Sequence, residues 1–162
     1  MPVIKFVNEK YNSFKAMKNL IHYIMAAEKT PNRIIGAIAV YPIEEKEIVR
    51  QFKQTQVLHR NQKKNRALHI VLSFSTEESQ WLTFKDYKKI GYSVGNYYGK
   101  VNHQVVFALH EDTDHPHIHF AINTVNYLTG KKYHQQYEDY IKIRKIAKTK
   151  TATIVNRRSS KT

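Results

Sequence analysis

The sequence predicts an α+β domain: a central, mainly antiparallel sheet with helices packed mainly on one of its faces. Three observations predict it. Apolar residues recur at every second position in Ala67–Ser75, Gln104–His110 and His117–Val125, the period of a strand. Phe14, Met17, Ile21 and Ile24 recur instead at helical spacing. Segments of both kinds follow one another through short polar connections, which favour antiparallel return of neighbouring strands.

In chain order, Val3–Val7 is a short β-rich run and the first strand. Asn12 or Ser13 caps a helix running to about Glu28, ended by Lys29-Thr30-Pro31-Asn32. Ile34–Val40 reads as the second strand, and a helix follows from about Ile43 to Leu58. His59–Asn65 is a basic, polar connection. Ala67–Ser75 is the third strand and Thr83–Tyr98 the third helix, with Gly91, Gly95 and Gly99 working against its second half. Gln104–His110 and His117–Val125 are the last two strands, followed by a basic helix from about Tyr137 to Lys150. Residues 1–150 therefore form one domain, and Thr151–Thr162 is expected as a polar, flexible tail.

The chain has 162 residues, enough to bury one core, and 27 Lys and Arg against 13 Asp and Glu, a formal charge of +14. Such a surplus points to a polyanionic partner, nucleic acid first and an anionic membrane second. With no cysteine, disulfide frameworks, thiolate metal sites and cysteine nucleophiles are excluded. No apolar run approaches a membrane span and the N-terminus lacks signal-peptide architecture, so a cytoplasmic protein without membrane insertion is expected.

The chemistry concentrates in His110-Glu-Asp-Thr-Asp-His-Pro-His117-Ile-His119. Side chains two apart on a strand share a face. His117, His119, Ala121 and Asn123 then share one face, with Ile118, Phe120 and Ile122 on the core side. Val105, Phe107 and Leu109 face the core in step, so Val106, Ala108 and His110 face away. The Asp-Thr-Asp-His-Pro run is turn chemistry, and folding it as a hairpin brings His110 beside His117 and His119. Three neutral imidazoles suit a divalent metal and leave open the positions that a catalytic ion needs for a phosphate oxygen. Asp112 and Asp114 are near enough to accept imidazole N–H groups. His115 falls on the opposite parity and stays out of the ligand set.

Without cysteine, a side-chain nucleophile would be tyrosine or serine. There are 11 tyrosines. Tyr23 stands off the apolar stripe of the first helix among Ala16, Asn19 and Ala27, but Tyr11, Tyr97 and Tyr98 are comparable candidates. On the third strand, Leu68, Ile70, Leu72 and Phe74 face the core, while His69, Val71, Ser73 and Ser75 face the histidine side if the strands are neighbours. The Ser73 hydroxyl could hydrogen-bond a phosphate there. Candidate phosphate contacts are Lys29, Arg33, Lys63, Lys64, Arg66, Lys131, Lys132, Arg144 and Lys145. Tyr97, Tyr98, Tyr127 and Tyr133 are candidates for stacking on unpaired bases.

Taken together, several of these stretches resemble one family. The run from His110 to Asn123 is similar to the third motif of MobP-type relaxases, within the HUH endonuclease superfamily. His22-Tyr23-Ile24 with Glu28-Lys29-Thr30 resembles their first motif, and His69-Ile-Val-Leu-Ser73-Phe74 their second; Gly130-Lys131-Lys132-Tyr133-His134 fits the run after the histidine strand. The resemblance covers about residues 1–148 and implies a central antiparallel sheet with helices. It also implies that Tyr23 attacks the scissile phosphate at a transfer origin, giving a 5′-phosphotyrosyl enzyme and a free 3′-hydroxyl. His110, His117 and His119 would hold Mg²⁺ or Mn²⁺, Ser73 would hold DNA, and Asp112 would tune a histidine or assist proton removal. Asn123 joins Lys29, Arg33, Lys63, Lys64, Arg66, Lys131 and Lys132 as expected DNA-binding positions. Single-stranded DNA, accessory relaxosome proteins and a secretion coupling protein are the implied partners. The family usually continues into long C-terminal regions, and the run from Lys148 onward does not look like the usual continuation of its last helix. Two other functions fit parts of the pattern: a rolling-circle initiator or transposase of the same superfamily, and a non-catalytic basic DNA-binding accessory protein.

Overall fold

In a computed structural model the described residues are 1–161, with strands and helices interspersed along the chain. They are β1 (Val3–Phe6), α1 (Phe14–Met25), β2 (Ile35–Ile38), α2 (Glu45–Leu58), β3 (Ala67–Ser73), α3 (Thr76–Ser79), α4 (Phe84–Gly99), β4 (Val105–His110), β5 (His117–Asn123) and α5 (Tyr137–Ser159). The five strands form one antiparallel sheet in the order β1-β3-β5-β4-β2. The α+β class expected from the alternation is therefore the observed one.

The placement of the helices differs from the expectation. On one face, Ile70, Leu72, Phe107, Ile118 and Phe120 pack with Tyr87, Ile90 and Val94 of α4 and Ile143 and Ala147 of α5. On the other, Ala67, Val106, Ala108 and Ala121 meet Met17, Ile21 and Ile24 of α1 and Ile48 and Phe52 of α2. The face read as pointing away from the core is lined along much of its length by small apolar residues. A helix can seat against these closely, so the sheet is buried on both sides, and the histidines of that face are gathered toward one end.

Local chemistry sets the helix ends. Ser13 caps α1 by accepting from the Ala16 N–H, and Thr83 caps α4 in a reciprocal capping box with Asp86. α1 stops at Met25, short of the expected Glu28. The Thr30 hydroxyl donates to the Ala26 carbonyl (2.8 Å) and Arg33 Nη1 to the Met25 carbonyl (2.7 Å), satisfying carbonyls that another turn would have used. α4 stays helical through its glycines because they face the sheet: a Cβ on Gly91 would lie 2.2 Å from the Phe107 ring. β3 ends at Ser73, two residues short of the expected Ser75, and Ser75 instead caps the single turn α3, for which the sequence carries no expectation.

The expected loose tail is corrected as well. α5 continues through Ser159, Thr151 is buried, and Arg158 pairs with Asp86 at the start of α4. Thr162, the last residue of that expected tail, lies outside the described residues.

Candidate metal centre and nucleophile

Strand register assembles the histidines. His110 of β4 is opposite His117 of β5, and His119 is opposite Ala108. On the other side of β5, His117 is opposite Ser73 of β3, so Ser73 joins the histidine face as expected. The three rings converge: one ligand atom from each lies within 4.8 Å of the others. His110 and His119 stack at 4.0 Å between ring centroids.

The second nitrogen of each ring is occupied, which sets the tautomers. His110 Nε2 is 2.9 Å from the Ile24 carbonyl oxygen on α1. His117 Nδ1 is 2.8 Å from the His115 carbonyl oxygen. A carbonyl can only accept, so these two nitrogens carry hydrogen, and in the neutral ring the opposite nitrogen presents a lone pair. His119 Nδ1 is 2.8 Å from Nε2 of His69. The inward atoms His110 Nδ1 and His119 Nε2 are buried and have no hydrogen-bond partner. Buried polar atoms of this kind are rarely left unmatched, and two lone pairs aimed at one point fit a divalent cation. Burial, then the neighbouring His110, pushes the His119 imidazole down to about 2, and burial pushes His69 down to about 4. Burial also lowers His110. The buried rings are held neutral, the form that binds metal.

α1 lies across this cluster and brings Tyr23 to it. The Tyr23 ring makes edge contacts with His110 (5.3 Å) and His119 (5.4 Å), and the residue remains 39% exposed. The competing tyrosines separate clearly. Tyr98 is in the core, Tyr97 donates its hydroxyl to Asp139 (2.6 Å), and Tyr11 is buried against His69 (2.9 Å). Of these candidates, Tyr23 combines exposure with contact to the triad. Tyr133 also donates to Asp139 (2.6 Å), so the hydroxyls of Tyr97 and Tyr133 are tied to one carboxylate; both rings are half-buried, whereas Tyr98 is buried and offers no stacking face.

Asp112 stands at the rim. It accepts from Lys29 Nζ (2.8 Å), and its Oδ1 is 3.8 Å from His117 Nε2. The Lys29 hydrogen bond holds the Asp112 carboxyl below its usual value, and Asp112 raises Lys29 in return. Lys29 Nζ also lies 5.0 Å from the Tyr23 ring centroid. His115 keeps its ring out of the cluster, as expected, and Asp114 is exposed on the turn.

The expected DNA-binding residues do not form one group. Lys29 is at the triad. Lys63, Lys64, Arg66, Lys131 and Lys132 collect at the opposite end of β3, roughly 20 Å away at about 3.3 Å per residue. There Lys132 donates to the Lys63 carbonyl (2.8 Å), and burial, then Arg66 and Lys63, lowers its ammonium. Arg33 spends one guanidinium nitrogen on Met25 and Thr30. Asn123 is a correction. It is fully buried, donates to the Phe52 carbonyl (3.1 Å) and Gln104 Oε1 (2.9 Å), and accepts from Gln56 Nε2 (2.9 Å). Alternation put it on the histidine face correctly, but α2 covers that end of the face, so it is a core linker with no surface for DNA.

The sequence reading gave no role to His69, which supplies the partner of His119, nor to Tyr11 beyond that of a rival nucleophile. Parity had already placed His69 on the correct face, and that was the available signal.

Fold and site together define a class, that of nuclease domains built on a histidine triad and an overlying tyrosine. The chain belongs to the relaxase family: the model described as MobA/VirD2-like, nuclease domain, matches residues 23–153. Two curated Staphylococcus aureus proteins, both named Protein rlx, are similar to it. One is 36% identical over 93 residues, covering 56% of this chain and 28% of that protein; the other is 35% identical over 82 residues, covering 51% and 25%. The matches thus reach across about a quarter of the length of these relatives. A solved structure of the MobM relaxase domain (MOBV; Mob_Pre), Mn-bound and in complex with plasmid oriT DNA, has a similar fold. Its TM-score is 0.55 at 17% identity, with 94% of this chain and 85% of that chain covered. No helix among the described residues is long and apolar enough to cross a membrane.

Proposed function

We propose that this domain cuts and rejoins one DNA strand at a transfer origin, for mobilisation of a plasmid or other mobile element, through a covalent 5′-phosphotyrosine on Tyr23. One observation carries the reading: an exposed tyrosine ring rests on the histidine triad. The Tyr23 hydroxyl gives up its proton as its oxygen attacks the scissile phosphorus, the bond from phosphorus to the 3′ oxygen breaks, and the departing 3′ oxygen takes up a proton, so no net proton is gained or lost. One P–O ester is exchanged for another, so the bond energy is kept and the reverse attack by a 3′-hydroxyl reseals the strand.

His110, His117 and His119 would hold the divalent cation, Mg²⁺ or Mn²⁺. When bound, such an ion supplies Lewis-acid polarisation of a phosphate oxygen. Lys29, held by Asp112, places a positive charge beside the attacking group and the phosphate. Ser73, opposite His117 in the sheet, would donate its hydroxyl to the DNA backbone. The remote lysines around Arg66 would grip the strand away from the cut. On this reading the domain works in the bacterial cytoplasm with accessory relaxosome proteins and a secretion coupling protein.

The test uses single-stranded DNA carrying the cognate origin, with Mn²⁺, and reads a covalent adduct on a denaturing gel. Wild type forms the adduct and Tyr23→Phe does not. An adduct formed by Tyr23→Phe assigns the nucleophile elsewhere, and no adduct from wild type on its cognate origin removes the strand-transfer reading.

A further inference from the structure

Behind the triad a second chain of polar groups runs from buried His119 to exposed Glu9. His69 Nε2 is 2.8 Å from His119 Nδ1, Tyr11 Oη is 2.9 Å from His69 Nδ1, and the Tyr11 hydroxyl reaches Glu9 Oε2 at 3.3 Å. All three rings are buried. We propose that His69, Tyr11 and Glu9 form a hydrogen-bond relay that fixes the His119 ring in the tautomer and orientation of a metal ligand, with His69 as a positioning residue. The inference rests on the reading of the triad as a metal centre.

The proton order follows from the two ends of the chain. Glu9, as a carboxylate, can only accept, so the Tyr11 hydroxyl donates to it. The Tyr11 oxygen then accepts from His69 Nδ1–H. A neutral His69 with hydrogen on Nδ1 has a lone pair on Nε2, which accepts from His119 Nδ1–H. That leaves the lone pair of His119 on Nε2, the atom that faces the centre without a partner. The reverse order would put a hydrogen on His119 Nε2 and block coordination. A carboxylate at the outer end thus selects the order that a ligand needs, as carboxylates do in shorter form behind metal-bound histidines. His110 and His117 reach the same end by donating to backbone carbonyls. His119, in mid-strand between β3 and β4, obtains an acceptor from the side chain of β3 instead.

The relay is read without DNA or turnover. In metal-free, ¹⁵N-histidine-labelled protein, long-range ¹H–¹⁵N spectra should show His119 as the Nδ1–H tautomer. His69→Leu should lose that single tautomer and weaken Mn²⁺ binding by about 10- to 100-fold in calorimetry. His69→Gln, whose amide oxygen can accept the same hydrogen, should recover most of the affinity. Thermal denaturation without metal establishes that each variant is folded. If His69→Leu does not fold, Tyr11→Phe carries the test, with a several-fold loss of affinity expected. Wild-type Mn²⁺ affinity in His69→Leu or, in its place, Tyr11→Phe, while His119→Ala abolishes binding, overturns the relay and leaves the metal centre standing. Unchanged binding in His119→Ala overturns the metal reading itself.

Discussion

Asn123 and Tyr23 show what single residues do here. Asn123 ties three elements together, linking Phe52 and Gln56 of α2 to Gln104 beside β4. Gln104 in turn accepts from the Thr55 hydroxyl (2.9 Å). Replacing Asn123 by alanine removes its buried hydrogen bonds to Phe52, Gln104, Gln56 and the Val125 N–H, each worth about 0.5–1.5 kcal/mol. Asn123→Ala should therefore lower the urea midpoint clearly, while the salt dependence of DNA binding by the folded fraction stays as in wild type. A changed salt dependence with intact stability would return Asn123 to the DNA surface. The histidines were legible in the sequence because strand periodicity alone fixes which side chains share a face, and the turn residues show where the chain reverses. Tyr23 and Asn123 were not separable by the same rule. Which end of a face is open depends on where α1 and α2 lie across it, and no local pattern carries that.

At the scale of elements, the governing feature is how closely helices approach the sheet. The Phe107 ring sits between β2 and α4, and a Cβ on either Gly36 or Gly91 would lie 2.2 Å from it. The glycines that argued against a long α4 are thus what lets it seat. Gly91→Ala raises helix propensity by about 1 kcal/mol yet overpacks the core, at about 1–3 kcal/mol. The expected result is net destabilisation by chemical denaturation, and a stabilised variant would mean that Phe107 yields readily. The end of α5 depends on a different bond. Burial disfavours ionised Asp86, but Arg158 and the Thr83 backbone and hydroxyl outweigh it and hold the carboxyl below its usual value. A depressed carboxyl contributes stability above its unfolded value, near 3.9, and that stability is lost as pH falls through the lower folded value. Arg158→Ala leaves the buried carboxyl unpaired, so the acid-unfolding midpoint should move to higher pH. An unmoved midpoint would show that the last turns of α5 are not docked. Sequence reading ended this helix at Lys150 because the run beyond it is polar, and the anchoring partner is about seventy residues away in the chain.

Across the whole molecule, the proposed cutting site and the exposed lysines stand at opposite ends of the sheet. The triad and Tyr23 stand at the C-terminal end of β4, while Lys63, Lys64 and Lys131 are exposed near the N-terminal end of β3, at the other end of the sheet. A DNA strand bound at both ends would cross the helix-covered surface between them, so its grip and its chemistry should respond to different variables. Each phosphate contact that releases a counterion contributes about 0.7 to the slope of log K against log salt for single strands. Replacing Lys63, Lys64 and Lys131 together by alanine should therefore weaken DNA binding at low salt and flatten that slope by up to about 2. Mn²⁺ affinity should be unchanged, because none of the three contacts a triad histidine. The +14 formal charge offers an alternative, in which the whole surface attracts DNA without a preferred track. Diffuse attraction and a defined track separate in a control that removes three exposed lysines elsewhere, such as Lys15, Lys18 and Lys148. Equal flattening by both triple variants would favour diffuse attraction, and flattening confined to the first would favour a defined track from the lysines at one end of the molecule to Tyr23 at the other.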